Sequence, residues 1–356
     1  MIVACRAPTA PGPSTEAIRV EFDVFKLTPA WSRKAVRALL PARFVDAARR
    51  TIIHVLYERN AGTVLRELKA ITFLRRRVLH SRPVLYHLDI HVADHCNMRC
   101  RGCSHFSNIA EPALADPEEF SRDLHRLAEV FAGVREIYLL GGEPLLHPDV
   151  ARFVRIAYEC FPHAKTYLFT NSLLVTRMPE EVWTALAETG VVLYCDRYPV
   201  EVDNDKIAEM ATERGVRLKW TQDRDRFFTI PIDLEGTRDA AESFAACSGV
   251  DNCVNLRHGR LYPCARIAYI DIFRERYGIE GLQATDADSI SIYGSETPWE
   301  IMDFLLSPVP WCRHCDQGSL HWYEWSKGEQ SIGQWTDLPG RTSAETGTVE
   351  SGEVQR

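Results

Sequence analysis

The chain predicts an α/β protein organised on a parallel sheet. Three features carry that prediction: strand-like apolar runs alternate with helical periodicity from Val84 onward, the intervening helices carry start signals, and glycines stand where two of them stop. Strands are predicted at residues 84–92, 135–140, 166–170, 191–195 and 216–220, with a weaker sixth at 227–232. Asp116 and Glu119 form a capping pair around Pro117, and Pro148 and Pro179 open the next two helices. Gly190 and Gly215 occupy helix C-cap positions.

Before this alternation, residues 1–28 are irregular apart from a short strand-like run at 18–27. From Trp31 to His80 apolar residues recur at spacings of three and four, with Pro41 and Gly62 punctuating three helices. The first 84 residues hold 16 Lys/Arg against 6 Asp/Glu, and the remainder 26 against 43. Only Arg75, Arg76 and Arg77 are contiguous, so the basic residues are read as solvated helix faces, not as a nucleic-acid or membrane contact. The expected domains are an N-terminal basic helical extension (1–83), the strand–helix domain (84–235), a cysteine-rich domain (236–335) and a disordered tail (336–356).

The 356 residues are 46% hydrophobic and 26% charged, as in ordinary globular proteins. No run approaches the ~20 apolar residues of a membrane span. The proline-rich start is not a secretory signal, so the expected location is cytoplasmic. In that setting eleven cysteines point to metal or redox work, not to disulfides.

Cys96, Cys100 and Cys103 follow the first strand in C-x₃-C-x₂-C spacing. Three thiolates can each hold one iron of a cubane [4Fe–4S] cluster, which leaves the fourth iron open for chemistry. Zinc is the alternative, but it prefers four ligands in paired C-x₂-C spacing. Some forty residues later the second strand ends in Gly141-Gly142-Glu143-Pro144, where the glycines permit a close backbone approach.

On these residues the chain resembles the radical S-adenosylmethionine (SAM) superfamily. The resemblance implies a partial (β/α)6 barrel, SAM bound at the open iron, and Glu143 accepting from the amino group of its methionine moiety. Asn171 becomes a further candidate SAM contact. It also implies reductive cleavage of SAM to a 5′-deoxyadenosyl radical that abstracts hydrogen, with electrons from a flavodoxin or ferredoxin-type donor. One departure stands out. The position before the last cysteine, aromatic in the family, is Gly102, so Phe106 or another aromatic residue would have to pack against the adenine.

Alternation assigns Leu88, Ile90 and Val92 to the helix-facing side of the first strand, and His87, Asp89 and His91 to the interior. On the fifth strand Arg217 and Lys219 join them. Such an interior suits a polar substrate carrying carboxylate or phosphate, unless these groups simply pair with one another. Downstream, Cys247, Gly259 and Cys264 read C-x₁₁-G-x₄-C, with Gly259 at a hairpin turn, and Cys312 and Cys315 follow as C-x₂-C. This pattern resembles the twitch domain, a shortened SPASM extension, which implies one auxiliary [4Fe–4S] cluster; a zinc ribbon is the alternative. Cys253 and Cys5 have no evident partner, and Cys160 lies on the apolar side of a helix.

Twitch-bearing relatives include aminocyclitol and sugar dehydrogenases. The expectation is therefore an oxidoreductase acting on a sugar, aminocyclitol or sugar nucleoside in natural-product (antibiotic) biosynthesis. Epimerisation or decarboxylation of a sugar or nucleoside uronate, and modification of a ribosomal peptide, are the alternatives. His91 and Asp89 are candidate catalytic groups, and Cys195, ending the fourth strand, is the candidate hydrogen-atom donor that an epimerase would need. A non-catalytic electron carrier or a zinc-based nucleic-acid module has no use for Gly141–Pro144.

Overall fold

The computed structural model describes residues 82–336 apart from 224 and 251. The expected N-terminal helices, Cys5 and the tail from residue 337 lie outside the described residues.

Chain order gives β1 (Val84–Ala93), α1 (Pro117–Val130), β2 (Gly133–Gly141), α2 (Val150–Cys160), β3 (Lys165–Thr170), α3 (Glu180–Thr189), β4 (Val192–Arg197), α4 (Asn204–Glu213) and β5 (Leu218–Asp223). These five strands pair in parallel in the order β5-β4-β3-β2-β1. Each crossover is a helix, as parallel pairing requires. Leu88, Ile137, Leu139, Leu168 and Leu193 on the helix-facing side are all completely buried. Against them pack Leu124 and Leu127 of α1 and Phe153 and Val154 of α2, equally buried.

The local signals act as the sequence predicts, with one change of partner. Asp116 caps α1 by accepting from the backbone N–H groups of Glu118 and Glu119. Glu119 does not return the bond; its carboxylate accepts from His258 at 2.8 Å. Gly190 ends α3 in the left-handed conformation, and Gly215 follows α4 in the same conformation.

The sixth expected strand is present as β6 (Arg226–Thr229), but it does not extend the parallel sheet. Only two residues separate it from β5, too few for a crossover. It pairs antiparallel with β10 (His321–Glu324) in a separate two-stranded sheet.

The cysteine-rich part joins the main sheet at its other edge. After α5 (Ala240–Ala246), β7 (Asn255–Arg257) pairs parallel with β1, and β8 (Arg260–Tyr262) returns antiparallel through the His258–Gly259 turn. Both turn residues have positive φ, 49° and 66°, which suits a two-residue hairpin. Two short helices follow, α6 (Ala265–Ala268) and α7 (Ile270–Tyr277), then β9 (Ile290–Ser291) on the sheet edge and α8 (Pro298–Leu305). A second core centred on Phe106, Phe273, Trp311 and Trp335 holds this part together. Among the described residues no helix is long and apolar enough to cross a membrane.

Candidate functional site

The cysteine loop leaves β1 at its C-terminal end, where barrel-type sheets place their chemistry. The end of β2 is pressed against its root. Gly142 N–H donates to the Ala93 carbonyl at 2.8 Å and Glu143 N–H to the His95 carbonyl at 3.1 Å. A Cβ on Gly141 would collide with the Ala93 carbonyl, and one on Gly142 with the His95 carbonyl. The two glycines are therefore required by the seat of the cysteine loop, and Gly141 also adopts a φ of 137°.

Glu143 is completely buried. Its Oε1 accepts from Thr170 Oγ1 (2.7 Å) and Leu145 N–H (3.1 Å), and its Oε2 accepts from Asn171 N–H (2.9 Å). Burial outweighs these donors and pushes the carboxyl up to about 7. Three of roughly four acceptor positions are used, which leaves one for a ligand ammonium. Asn171 lies at the same place: its Nδ2 donates to Asn97 Oδ1 at 2.7 Å and stands 3.6 Å from Cys96 Sγ.

None of the ten cysteines among the described residues is in a disulfide. Cys96 is half-buried, while Cys100 and Cys103 are buried. Cys96 Sγ accepts from Met98 N–H at 3.3 Å and Cys100 Sγ from the indole N–H of Trp325 at 3.2 Å. Burial, with Glu143 nearby, pushes Cys96 up to about 12. A thiolate at this place needs a bound cation, and N–H donors aimed at sulfur are what cluster ligands carry. The residues fit a cluster.

The segment from Tyr323 to Trp335 fastens this loop, and the sequence reading did not find it. The Tyr323 hydroxyl donates to the Arg101 carbonyl (2.8 Å), Arg101 N–H to the Ser326 carbonyl (3.0 Å) and Gly102 N–H to Gln334 Oε1 (3.0 Å). The Trp335 indole donates to the Cys103 carbonyl at 2.8 Å. Gly102 has a φ of 61°, and a Cβ there would meet the Thr229 and Tyr323 hydroxyls. No aromatic side chain fits at that position. Phe106 does not replace it: it is completely buried against Phe273 and Trp335. The aromatic residues that do pack with Met98 and Cys100 are Tyr198, Phe227, Tyr323 and Trp325. Their signal was the density of aromatic residues from Trp322 to Trp325.

On the interior face, His87, Asp89 and His91 are all buried, and they are already paired. His87 Nε2 lies 2.7 Å from Asp89 Oδ1; His91 bonds Asp94 through Nδ1 and His105 through Nε2, both at 2.8 Å. Tyr269 stacks on His91 at 3.6 Å, and the Arg257 guanidinium lies over the Tyr269 ring, bonding Asp271 and reaching Asp94 at 3.6 Å. Burial holds both His91 and His105 below the ordinary imidazole value, so both are neutral near pH 7. Lower in the sheet, His87, Tyr138, Tyr167 and Tyr194 form a row with successive ring centroids at 4.8, 4.7 and 5.5 Å. Lys219 closes the row with its Nζ 4.4 Å from the Tyr194 ring. Arg217 instead is exposed and lies beside Gly190.

Cys195 is completely buried and alternates with Tyr194, so it shares the face of Leu193 and its register partner Thr170. That face is turned away from the Tyr194 row.

Cys247, Cys264, Cys312 and Cys315 all line one apolar pocket with Phe244, Ile267 and Trp311. Burial drives the Cys264 thiol well up, and Cys315, Cys247 and Cys312 add to the shift in that order. A tetrahedral zinc site with Zn–S near 2.3 Å would hold the four sulfurs only about 3.8 Å apart. Four thiolates on one pocket supply the donor count of either a zinc site or a [4Fe–4S] cluster. Cys253 is buried nearby on the approach to β7 and is not among the pocket's walls.

Residues 90–216 match the Radical SAM superfamily. The GTP 3′,8-cyclase of Acidothermus cellulolyticus is 39% identical over 105 residues, 27% of this chain and 28% of that one. The GTP 3′,8-cyclase of Aliarcobacter butzleri is 26% identical over 218 residues, 57% of this chain and 61% of that one. The chain spans about 30% of the length of the first curated relatives it matches. Among solved structures, BtrN in complex with AdoMet and 2-DOIA is 14% identical, with 67% of this chain and 94% of that one covered and a TM-score of 0.39. SuiB of Streptococcus suis bound to the precursor peptide SuiA is 19% identical, covers 46% of this chain and 38% of that one, and has a TM-score of 0.31. Likenesses this distant carry no inference about substrate. The matched range, about a third of the chain, contains the cysteine triplet, Gly141–Glu143 and Asn171, and over it the chain is similar to the Radical SAM superfamily.

Proposed function

We propose that this chain is a SAM-dependent dehydrogenase of a polar small molecule, a sugar, aminocyclitol or sugar nucleoside. Cys96, Cys100 and Cys103 would hold the SAM-binding [4Fe–4S] cluster, and Cys247, Cys264, Cys312 and Cys315 an auxiliary one. When bound, cluster and SAM supply reductive carbon–sulfur cleavage and with it the power to take a hydrogen atom from an unactivated C–H bond.

The chain's own residues do the rest. Glu143 offers its remaining acceptor position to the ligand ammonium, and Asn171 orients the cysteine loop through Asn97. The His87–Tyr138–Tyr167–Tyr194 row lines the lower interior with aromatic faces, an apolar floor beneath a reactive carbon centre. His91 and Asp89, both engaged with neighbours, act as positioning groups.

The observation that carries the oxidation reading is the ring of four cysteines around one pocket, in a part of the chain that shares a sheet with β1. Dehydrogenation removes a second electron, and a redox centre there can accept it. Epimerisation needs a hydrogen-atom donor, and Cys195 lies on the Thr170 side of β4, opposite the Tyr194 row. The names of the curated relatives raise a second reading, radical cyclisation of a purine nucleotide. Against it, Arg257 is held by Asp271 and Asp94; in its favour, the buried Arg266 keeps Nη1 without a hydrogen-bond partner.

Turnover in D₂O with reductant and SAM tests the proposal. The product should be two mass units lighter than the substrate, with no solvent deuterium at the reacting carbon. A product carrying one deuterium, or consumption of GTP, would overturn it.

A further inference from the structure

The bond between Trp325 and Cys100 joins residues 225 positions apart. Indole N–H is a donor only, so the 3.2 Å contact to Cys100 Sγ has one direction. The ring is held firmly. Trp325 N–H donates to the Asp225 carbonyl at 2.6 Å, Arg101 N–H to the Ser326 carbonyl at 3.0 Å and Gly328 N–H to the Arg99 carbonyl at 2.6 Å. Cys100 itself bridges Lys327. The Tyr198 ring lies 6.0 Å from the indole. The donors to Cys96 Sγ come from within the domain, from Met98 and Asn171, whereas this one is brought by the C-terminal segment.

We propose that Trp325 is a positioning residue that sets the reduction potential of the cluster on Cys96, Cys100 and Cys103 through its hydrogen bond to Cys100 Sγ. The inference rests on the reading of those cysteines as cluster ligands. Reduction adds negative charge that is shared by the ligand sulfurs, and an N–H aimed at one of them stabilises the reduced form more than the oxidised. Losing the donor lowers the potential.

The test is a redox titration of the reconstituted full chain, followed by EPR, for the wild type, Trp325→Phe and Tyr323→Phe. Phe keeps an apolar ring at 325 without the N–H. Tyr323→Phe loosens the same segment, by removing the bonds to the Arg101 carbonyl and Thr229, and leaves Cys100 Sγ alone. At equal iron content Trp325→Phe should reduce about tenfold less readily, a downward shift of about 59 mV for a one-electron couple. Tyr323→Phe should titrate with the wild type. An unshifted Trp325→Phe, or equal shifts in both variants, overturns the inference while leaving the cluster assignment standing. If Trp325→Phe takes up no iron, Trp335→Phe labelled with indole-¹⁵N tryptophan decides, since the other indole beside the cluster is then gone: pulsed EPR of the reduced cluster should show a ¹⁵N coupling, and none overturns the inference. A wild type that loads no cluster on the three cysteines overturns both.

Discussion

Trp335 and Cys103 are 232 residues apart, and the indole N–H of the first donates to the backbone carbonyl of the second at 2.8 Å. Trp335 is itself tied to the auxiliary pocket: Ile232 N–H donates to the Trp335 carbonyl at 2.6 Å, and Ile232 bridges Cys315. One short path, an indole bond followed by backbone pairing, therefore connects Cys103 of the first cysteine group with Cys315 of the second.

Trp335→Phe should cost about 1–3 kcal/mol of stability, because it removes the indole donor to the Cys103 carbonyl, which keeps only Phe106 N–H, and leaves a completely buried site one fused ring short. Urea denaturation of the unloaded protein measures this. A change within error would mean that the bond contributes nothing.

Gly142→Ala and Gly215→Ala should differ sharply. At Gly142 the new Cβ meets the His95 carbonyl, and the root of the cysteine loop must move, for a loss of about 3 kcal/mol or more. At Gly215 nothing lies within 4 Å, so only the left-handed backbone is penalised, by about 1 kcal/mol. Melting temperatures of the two variants give the comparison.

Glu143 should make stability fall with rising pH. Its folded value of about 7 lies above the ~4.3 of an unfolded glutamate, so the folded state binds the extra proton between those values. Below about 4.3 both states are protonated and the contribution is constant. From below there to above about 7 the native state loses roughly 4 kcal/mol relative to the unfolded chain. Glu143→Gln should flatten that slope in denaturation curves. SAM affinity should rise over the same interval, since a ligand ammonium requires the ionised carboxylate.

The two cysteine groups should separate in iron content. Loaded wild type should hold about eight irons, four per cubane. Cys100→Ala should lose SAM cleavage, and Cys312→Ala should retain it with about four irons fewer while product formation collapses. Equal loss of SAM cleavage in both variants, at comparable solubility, would contradict two separate sites.

Much of this was legible in the chain because local chemistry enforces it. Leu88 and Ile137 alternate with polar neighbours along buried strands, Asp116 caps where it stands, and Gly141–Gly142 must be glycines to seat the cysteine loop. The pairing of β6 with β10 was not legible, since nothing near Phe227 specifies a partner almost a hundred residues away. The same holds for Trp325 and Trp335, whose partners Cys100 and Cys103 are set by the tertiary fold alone. Alternation predicted the interior histidines, but not that Asp89, Asp94 and His105 would consume their bonding capacity.

The fastening segment also sets an order of events during synthesis. Cys103 leaves the ribosome 232 residues before Trp335. At about 5–20 residues per second, that leaves the cysteine loop uncovered for roughly 10 to 50 seconds on the growing chain. Iron and sulfide can reach the loop in that interval without any opening motion. Once Tyr323 to Trp335 are bonded to Arg101, Gly102 and Cys103, iron meets a fastened loop, so loading on the ribosome and loading of the finished protein are two different kinetic problems.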